Sequence, residues 1–153
     1  MQQTLDNPAG ANMGLNSGAI VEGTNAATIE VAANILYMVD GQHYTLTAAD
    51  NIAMTACDTQ AAETTCIYLM TVDAAGTVTT TKGREVLSAD LAKGADSLQF
   101  PTPPADEAVI GFFTIVTAAG YTFTCGTTDL GATGITDTFY NCGMIPAMPR
   151  TAA

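Results

Sequence analysis

Hydrophobic and polar positions alternate most cleanly near the end of the chain. Tyr121, Phe123 and Cys125 alternate with Thr122 and Thr124, and after a bend rich in Gly, Thr and Asp, Ile135, Asp137 and Phe139 alternate with Thr136 and Thr138. A period of two with β-branched residues on the wet side predicts strands. The same writing begins at Thr28. Thr28 to Ala32 is a short alternating segment, Ile35 to Val39 an apolar run, and Asp40-Gly41 a two-residue hairpin signal leading into Gln42 to Thr47. Ala48 to Ala56 continues as a strand through Ile52 and Met54. Thr65 to Val72 reads as a central strand, turning through Asp73 to Gly76 into Thr77 to Thr81, with Gly76 in the left-handed position.

Between two β blocks lies one helical turn, with Ser88 as its cap, Asp90 in its first turn, Lys93 near its end and Gly94 as its stop. Pro101, Pro103 and Pro104 then predict an extended crossover before Val109 to Thr117 re-enters a sheet. Eight or nine short strands in two blocks predict an all-β fold, a two-sheet sandwich or jelly-roll-like domain, or else a small barrel.

The ends are written differently. Residues 1–27 are rich in Gly, Asn and Ala, and Leu5, Met13, Leu15, Ile20 and Val21 are too sparse to make a face at either period. Such a segment cannot bury enough surface to fold alone. It reads as an extended N-terminal arm held by a neighbouring chain or folded back on its own domain. The β domain is then 28–142. Residues 143–153 form an irregular tail whose prolines bar a regular strand, with Met144 and Met148 as candidate anchors on a neighbour.

Composition sharpens this picture. Of 153 residues, 48% are hydrophobic and only 12% charged, about half the ~25% usual for a soluble domain. Thr, Ser, Asn and Gln must supply the wet surface, and a surface with few ions loses little on being stripped of water by a neighbour. Net charge is −11, with only Lys82, Arg84, Lys93 and Arg150 as cations. Gripping nucleic acid needs several cations on one face, so no nucleic-acid partner is expected. An anionic membrane surface is disfavoured for the same reason, and no apolar run approaches the ~20 residues of a span. The N-terminal residues lack a signal peptide's basic start and apolar stretch, which predicts synthesis and folding in a cytoplasm.

Candidate chemistry is thin. His43 is the one histidine, and a relay would have to recruit Ser17, Ser88 or Ser97, none of them in a G-x-S-x-G elbow. Asp40, Asp50, Asp73, Asp129 and Asp137 fall in turns or at strand ends, where Asp bonds local backbone. No EF-hand loop occurs, and aromatics at 7% without Trp make no sugar cleft. Gly126 to Gly134 lacks the Lys and the following helix of a phosphate loop and reads as a hairpin tip. Cys57, Cys66, Cys125 and Cys142 have no C-x-x-C spacing; Cys57 with Cys66 and Cys125 with Cys142 flank loops that a disulfide could close, against free thiols in a cytoplasm. The expectation is no catalytic residue, no cofactor and no metal.

The segments V-I-G-F-F-T-I, F-T-C-G-T-T-D-L-G-A-T-G-I-T-D-T-F, Y-L-M-T-V-D-A-A-G-T-V and P-T-P-P-A-D give Thr28 to Asn141 a style that resembles small all-β structural proteins of tailed bacteriophages. These include head decoration (cement) proteins and other virion surface components. The resemblance implies a non-enzymatic subunit on the outer surface of a virion. It implies binding to the major capsid protein or other virion subunits, commonly as a homotrimer, and it brings no catalytic residue. A receptor- or glycan-binding module of a tail fibre or spike is the alternative, with Thr127 to Ile135 as its contact loop.

Overall fold

The computed structural model describes residues 12–143, so Leu5, the 144–153 stretch and its methionines Met144 and Met148 lie outside the described residues. Within them the chain runs β1 (Met13–Gly14), β2 (Ile20–Glu22), β3 (Thr28–Val31), β4 (Ile35–Val39), β5 (Gln42–Leu46), β6 (Ala49–Ala53), β7 (Thr64–Asp73), β8 (Val78–Lys82), β9 (Val86–Leu87), α1 (Ser88–Ala92), β10 (Glu107–Thr117) and β11 (Ile135–Asn141). All pairings are antiparallel, and they make three sheets packed together as an all-β sandwich. The central sheet has the order β11-β10-β7-β8, with β9 also on β7; the two smaller sheets are β1-β4-β5 and β2-β3-β6.

β7 is buried along both faces, which is why its sequence reads as a continuous apolar run rather than an alternation. Its even-numbered residues Cys66, Tyr68, Met70 and Val72 face the main core, shared with Ile29 and Val31 of one small sheet and Ile35, Tyr37 and Val39 of the other. Ile67 and Leu69 face the opposite way, onto Val86, Leu98 and Phe112, with Leu91 and Phe100 packed over them. The helical turn and the proline crossover therefore cover the back of the central sheet. β10 serves both cores by changing phase. Its register to β7 shifts between Val109 and Gly111, so Ile110 is an extra residue, and Phe113 and Ile115 point into the core that Ala108 and Ile110 also reach.

Several local expectations hold in detail. Asp40 and Gly41 take positive φ of 52° and 76°, the primed turn that joins β4 to β5. Gly76 takes φ 84° in the β7–β8 turn, where the Asp73 carboxylate accepts from the Ala75 and Thr77 N–H groups. Ser88 is different: it is the first helical residue after Leu87 at the cap position, and its hydroxyl shares a 2.9 Å bond with the Thr65 hydroxyl instead of capping. Gly94 ends the turn at φ 69°.

Two larger corrections concern chain ends and strand pairing. Residues 12–27, read as an arm, are woven into their own domain where described: Met13 pairs with Met38, Ile20 with Val31, and the Ile20 side chain is fully buried. Sparse apolar residues suffice there because each strand borrows a ready-made edge. Tyr121 to Cys125 does not form a strand of a final hairpin. β10 and β11 pair directly, from Thr117 with Ile135 to Gly111 with Asn141, and residues 118–134 cross over the main core, touching a ladder only where Phe123 bridges Gln60. The alternation is real, since Phe123 and Cys125 are fully buried and Tyr121 is exposed, but it plugs the core rather than extending a sheet.

Gly126 holds that crossover close. Its φ is 76°, and a Cβ there would lie 2.7 Å from the Met54 carbonyl oxygen. Gly126→Ala is expected to cost about 1–3 kcal/mol through left-handed strain and that clash, read as a lower urea midpoint at constant slope.

Candidate interaction surface

The smaller sheet β1-β4-β5 carries the most unusual surface. In β4, Ile35, Tyr37 and Val39 turn into the core, and Leu36 and Met38 turn out. Opposite residues of an antiparallel ladder share a face, so the register Met13–Met38–His43 makes one outward row. Leu15, whose N–H donates to the Leu36 carbonyl at 2.7 Å, makes a second row with Leu36 and Thr45. Alternation should make such a face polar. Instead Leu15 is 45% and Leu36 51% exposed, and neither row holds Asp, Glu, Lys or Arg.

Asparagines frame the face without charge. Asn16 accepts from the Leu36 N–H at 2.6 Å and donates to the Asn34 carbonyl at 3.0 Å; Asn34 accepts from Ala48 N–H and Asn12 from Asp40 N–H. These amides fix the loops around the sheet and leave the two rows open. β5 lies at the edge of its sheet, next to the same face. A partner can therefore gain apolar burial from the rows and backbone bonds from the edge, with few ions to dehydrate.

His43 belongs to this surface. It is exposed on β5, and among the described residues no hydrogen bond joins it to a serine or a carboxylate. Ser17 accepts from the Ala19 N–H, and Ser88 is engaged with Thr65. The acids mostly serve backbone, as their turn positions suggest. Asp50 accepts from the Thr24 hydroxyl and N–H, which hold its carboxyl below the usual range, and bonds from Thr77 and Ala75 do the same for Asp73. Among the described residues no group of three His, Cys, Asp or Glu side chains is arranged to hold a metal ion.

An open groove of about 780 Å³ runs between residues 55–58 and 79–85. Lys82 lies in it but is engaged, donating to the Asp58 and Thr59 carbonyls and pairing with Glu85 at 2.5 Å. Arg84 is paired with Asp96. Both cations are thus neutralised locally, and the surface is still poorer in available positive charge than the composition states. No described helix is long and apolar enough to cross a membrane.

The 118–134 crossover is the other exposed feature. Phe123, Cys125 and Leu130 anchor it in the core, while Tyr121 is 44% exposed and its ring lies over Gly134, where a Cβ would come within 2.3 Å of it. The composition of this loop suggested a free hairpin tip. Its three buried side chains make it a fastened plug with one exposed aromatic. No family model matches the chain, and no curated protein or solved structure matches it.

Proposed function

We propose that this chain is a non-enzymatic virion structural protein, a capsid decoration or cement protein that binds the head lattice of a tailed bacteriophage and stabilises it. The observation that carries the reading is the uncharged outward face of Met13, Leu15, Leu36 and Met38 beside the edge strand β5. The style of the strands and turns, which resembles phage decoration proteins, points the same way. Acidity suits the outer surface of a particle, away from packaged DNA. The partner is the major capsid protein or a neighbouring virion subunit, and a homotrimer would place three copies of the face around one lattice axis. A standard interface of ~1,600 Å² per copy, repeated over a shell, makes a modest site energy large in sum.

The test is binding of purified chain to heads assembled without it. Leu15→Asp with Leu36→Asp removes roughly 1 kcal/mol of apolar burial at each site and adds two carboxylates to be dehydrated, so affinity should fall at least about 100-fold with the fold intact by circular dichroism. Undiminished binding would overturn the role of this face. The exposed ring of Tyr121 favours a second reading, a glycan- or receptor-binding module of a tail fibre. That reading gains support if changes at Tyr121 and Thr127 to Ile135 abolish host attachment while head stability is unchanged.

A further inference from the structure

A sheet edge is a row of backbone donors and acceptors without partners, and native chains blunt such rows with brevity, charge, bulges or cover. Most edges of this protein are treated so. β1, β2 and β9 are two or three residues long. β6 carries Asp50, a register shift in its pairing with β3 and a positive φ of 60° at Asn51. On β8 the Thr80 N–H donates to the Thr55 hydroxyl at 3.1 Å, and the Thr80 carbonyl accepts from the free thiol of Cys57 at 3.7 Å. β11 carries Asp137, and its last residue, Asn141, accepts from the Ile20 N–H at 2.6 Å.

β5 has none of these devices. Gln42–Leu46 holds no charged residue, proline, glycine or bulge. The turn at Asp40-Gly41 closes with the Gln42 N–H donating to the Val39 carbonyl. Antiparallel alternation then turns the backbone of Gln42, Tyr44 and Leu46 toward β4 and that of His43 and Thr45 outward. β4 agrees with that phase, because the Leu36 carbonyl and N–H, opposite Thr45, bond away from β5, to Leu15 and Asn16. Among the described residues no hydrogen bond reaches the outward N–H and C=O groups of His43 and Thr45, and both residues are exposed.

We propose that β5 pairs antiparallel with β5 of a second copy about a two-fold axis through Tyr44, with His43 of each chain opposite Thr45 of the other. The register is self-complementary: each outward N–H meets an outward C=O, because the same two residues supply both rows. Charge selects a second copy in this orientation. Two chains of net charge −11 repel on most approaches, but here Gln42 lies toward Leu46 and Asp40 toward Ala48 of the other chain, so no acid meets an acid. The pairing joins two three-stranded sheets and brings the Met13–Met38–His43 row of one copy into line with the Leu15–Leu36–Thr45 row of the other, one uncharged face across both. On a lattice this link ties a copy at one axis to a copy at the next, and it forms whether or not the face meets a capsid.

The experiment is hydrogen exchange of the purified full chain at micromolar and at millimolar concentration, read amide by amide by NMR, with the mass from sedimentation equilibrium. The His43 and Thr45 amides should slow at least about tenfold at the higher concentration, while those of Gln42, Tyr44 and Leu46, already bonded to β4, change little. The mass should rise from 15.7 kDa toward twice that value. Thr45→Pro removes an outward N–H and no bond to β4, so it should abolish the concentration dependence and hold the mass at one chain. Should that variant fail to fold, His43→Lys with Thr45→Lys has the same effect by setting like charges opposite each other. Unchanged His43 and Thr45 amides at millimolar concentration, whatever the mass, or a paired mass that survives these substitutions, would overturn the inference. No heads enter the assay, so its failure leaves the head-binding reading to its own test.

Discussion

Truncating Phe113 to alanine should lower stability by about 3–5 kcal/mol, a large share of the ~5–15 kcal/mol that holds a domain of this kind. Phe113 is fully buried on β10, which is paired with β7 on one side and β11 on the other. Its ring stacks on Tyr68 with centroids 5.1 Å apart and meets Phe139 at 5.3 Å. Tyr68 in turn meets Phe123 edge-on at 5.5 Å, so the cavity would open where the central sheet, its last strand and the crossover converge. Neighbours on three elements cannot all collapse inward, which puts the cost at the upper end of the range. Urea unfolding should show the midpoint drop with the slope unchanged. Val116→Ala on the same strand is the control: that side chain is 38% exposed, and the change should stay within about 0.5 kcal/mol. A cost for Phe113→Ala under about 1 kcal/mol would contradict the placement of the core.

Gln60 should be nearly as costly to change, for polar reasons. It is fully buried, and its side-chain nitrogen donates to the Thr64 and Ile115 carbonyls at 3.1 Å each, while its side-chain oxygen accepts from the Tyr68 hydroxyl at 3.1 Å. Its backbone makes both bonds of the bridge to Phe123. Gln60→Leu keeps most of the volume but takes the amide donor from the Ile115 and Thr64 carbonyls and the acceptor from the Tyr68 hydroxyl; the Thr64 carbonyl keeps a 3.2 Å bond from the Thr117 hydroxyl, so a loss of roughly 2–4 kcal/mol is expected from the other two groups at about 1–3 kcal/mol each before relaxation. Gln60→Glu separates this from packing through its pH dependence. A carboxyl facing two carbonyls is held neutral, with a folded pKa above its unfolded value near ~4.3. Above that value the unfolded state binds fewer protons than the folded one, so stability of the Glu variant should fall as pH rises from about 4 towards 7, and the Leu variant should lack this dependence. Equal pH profiles for the two would show that residue 60 is not dehydrated.

The interaction face is made where strands of low intrinsic preference are held by others. β1 has two residues and is kept by the Leu15 bond to Leu36 on one side and by Gly14 N–H donating to the Gly143 carbonyl at 3.0 Å on the other. Such segments carry side chains that the core does not need, and those are the side chains left for contact.

What the chain's order of residues decides alone is the local strand grammar. Alternation and β-branching are properties of a few consecutive residues, so Ile35–Val39, its turn at Asp40-Gly41 and the doubly buried run of β7 were legible, together with the all-β class. The scarcity of charge was equally legible as a sign of a surface easily dehydrated. Partnership is another matter, because a strand's edge is satisfied by whatever segment the rest of the fold brings to it. Tertiary structure alone turned Tyr121 to Cys125 from strand to plug, drew Met13 and Ile20 into sheets and aimed Leu15 and Leu36 outward. Each of these depends on residues tens of positions apart, and no local period records that distance.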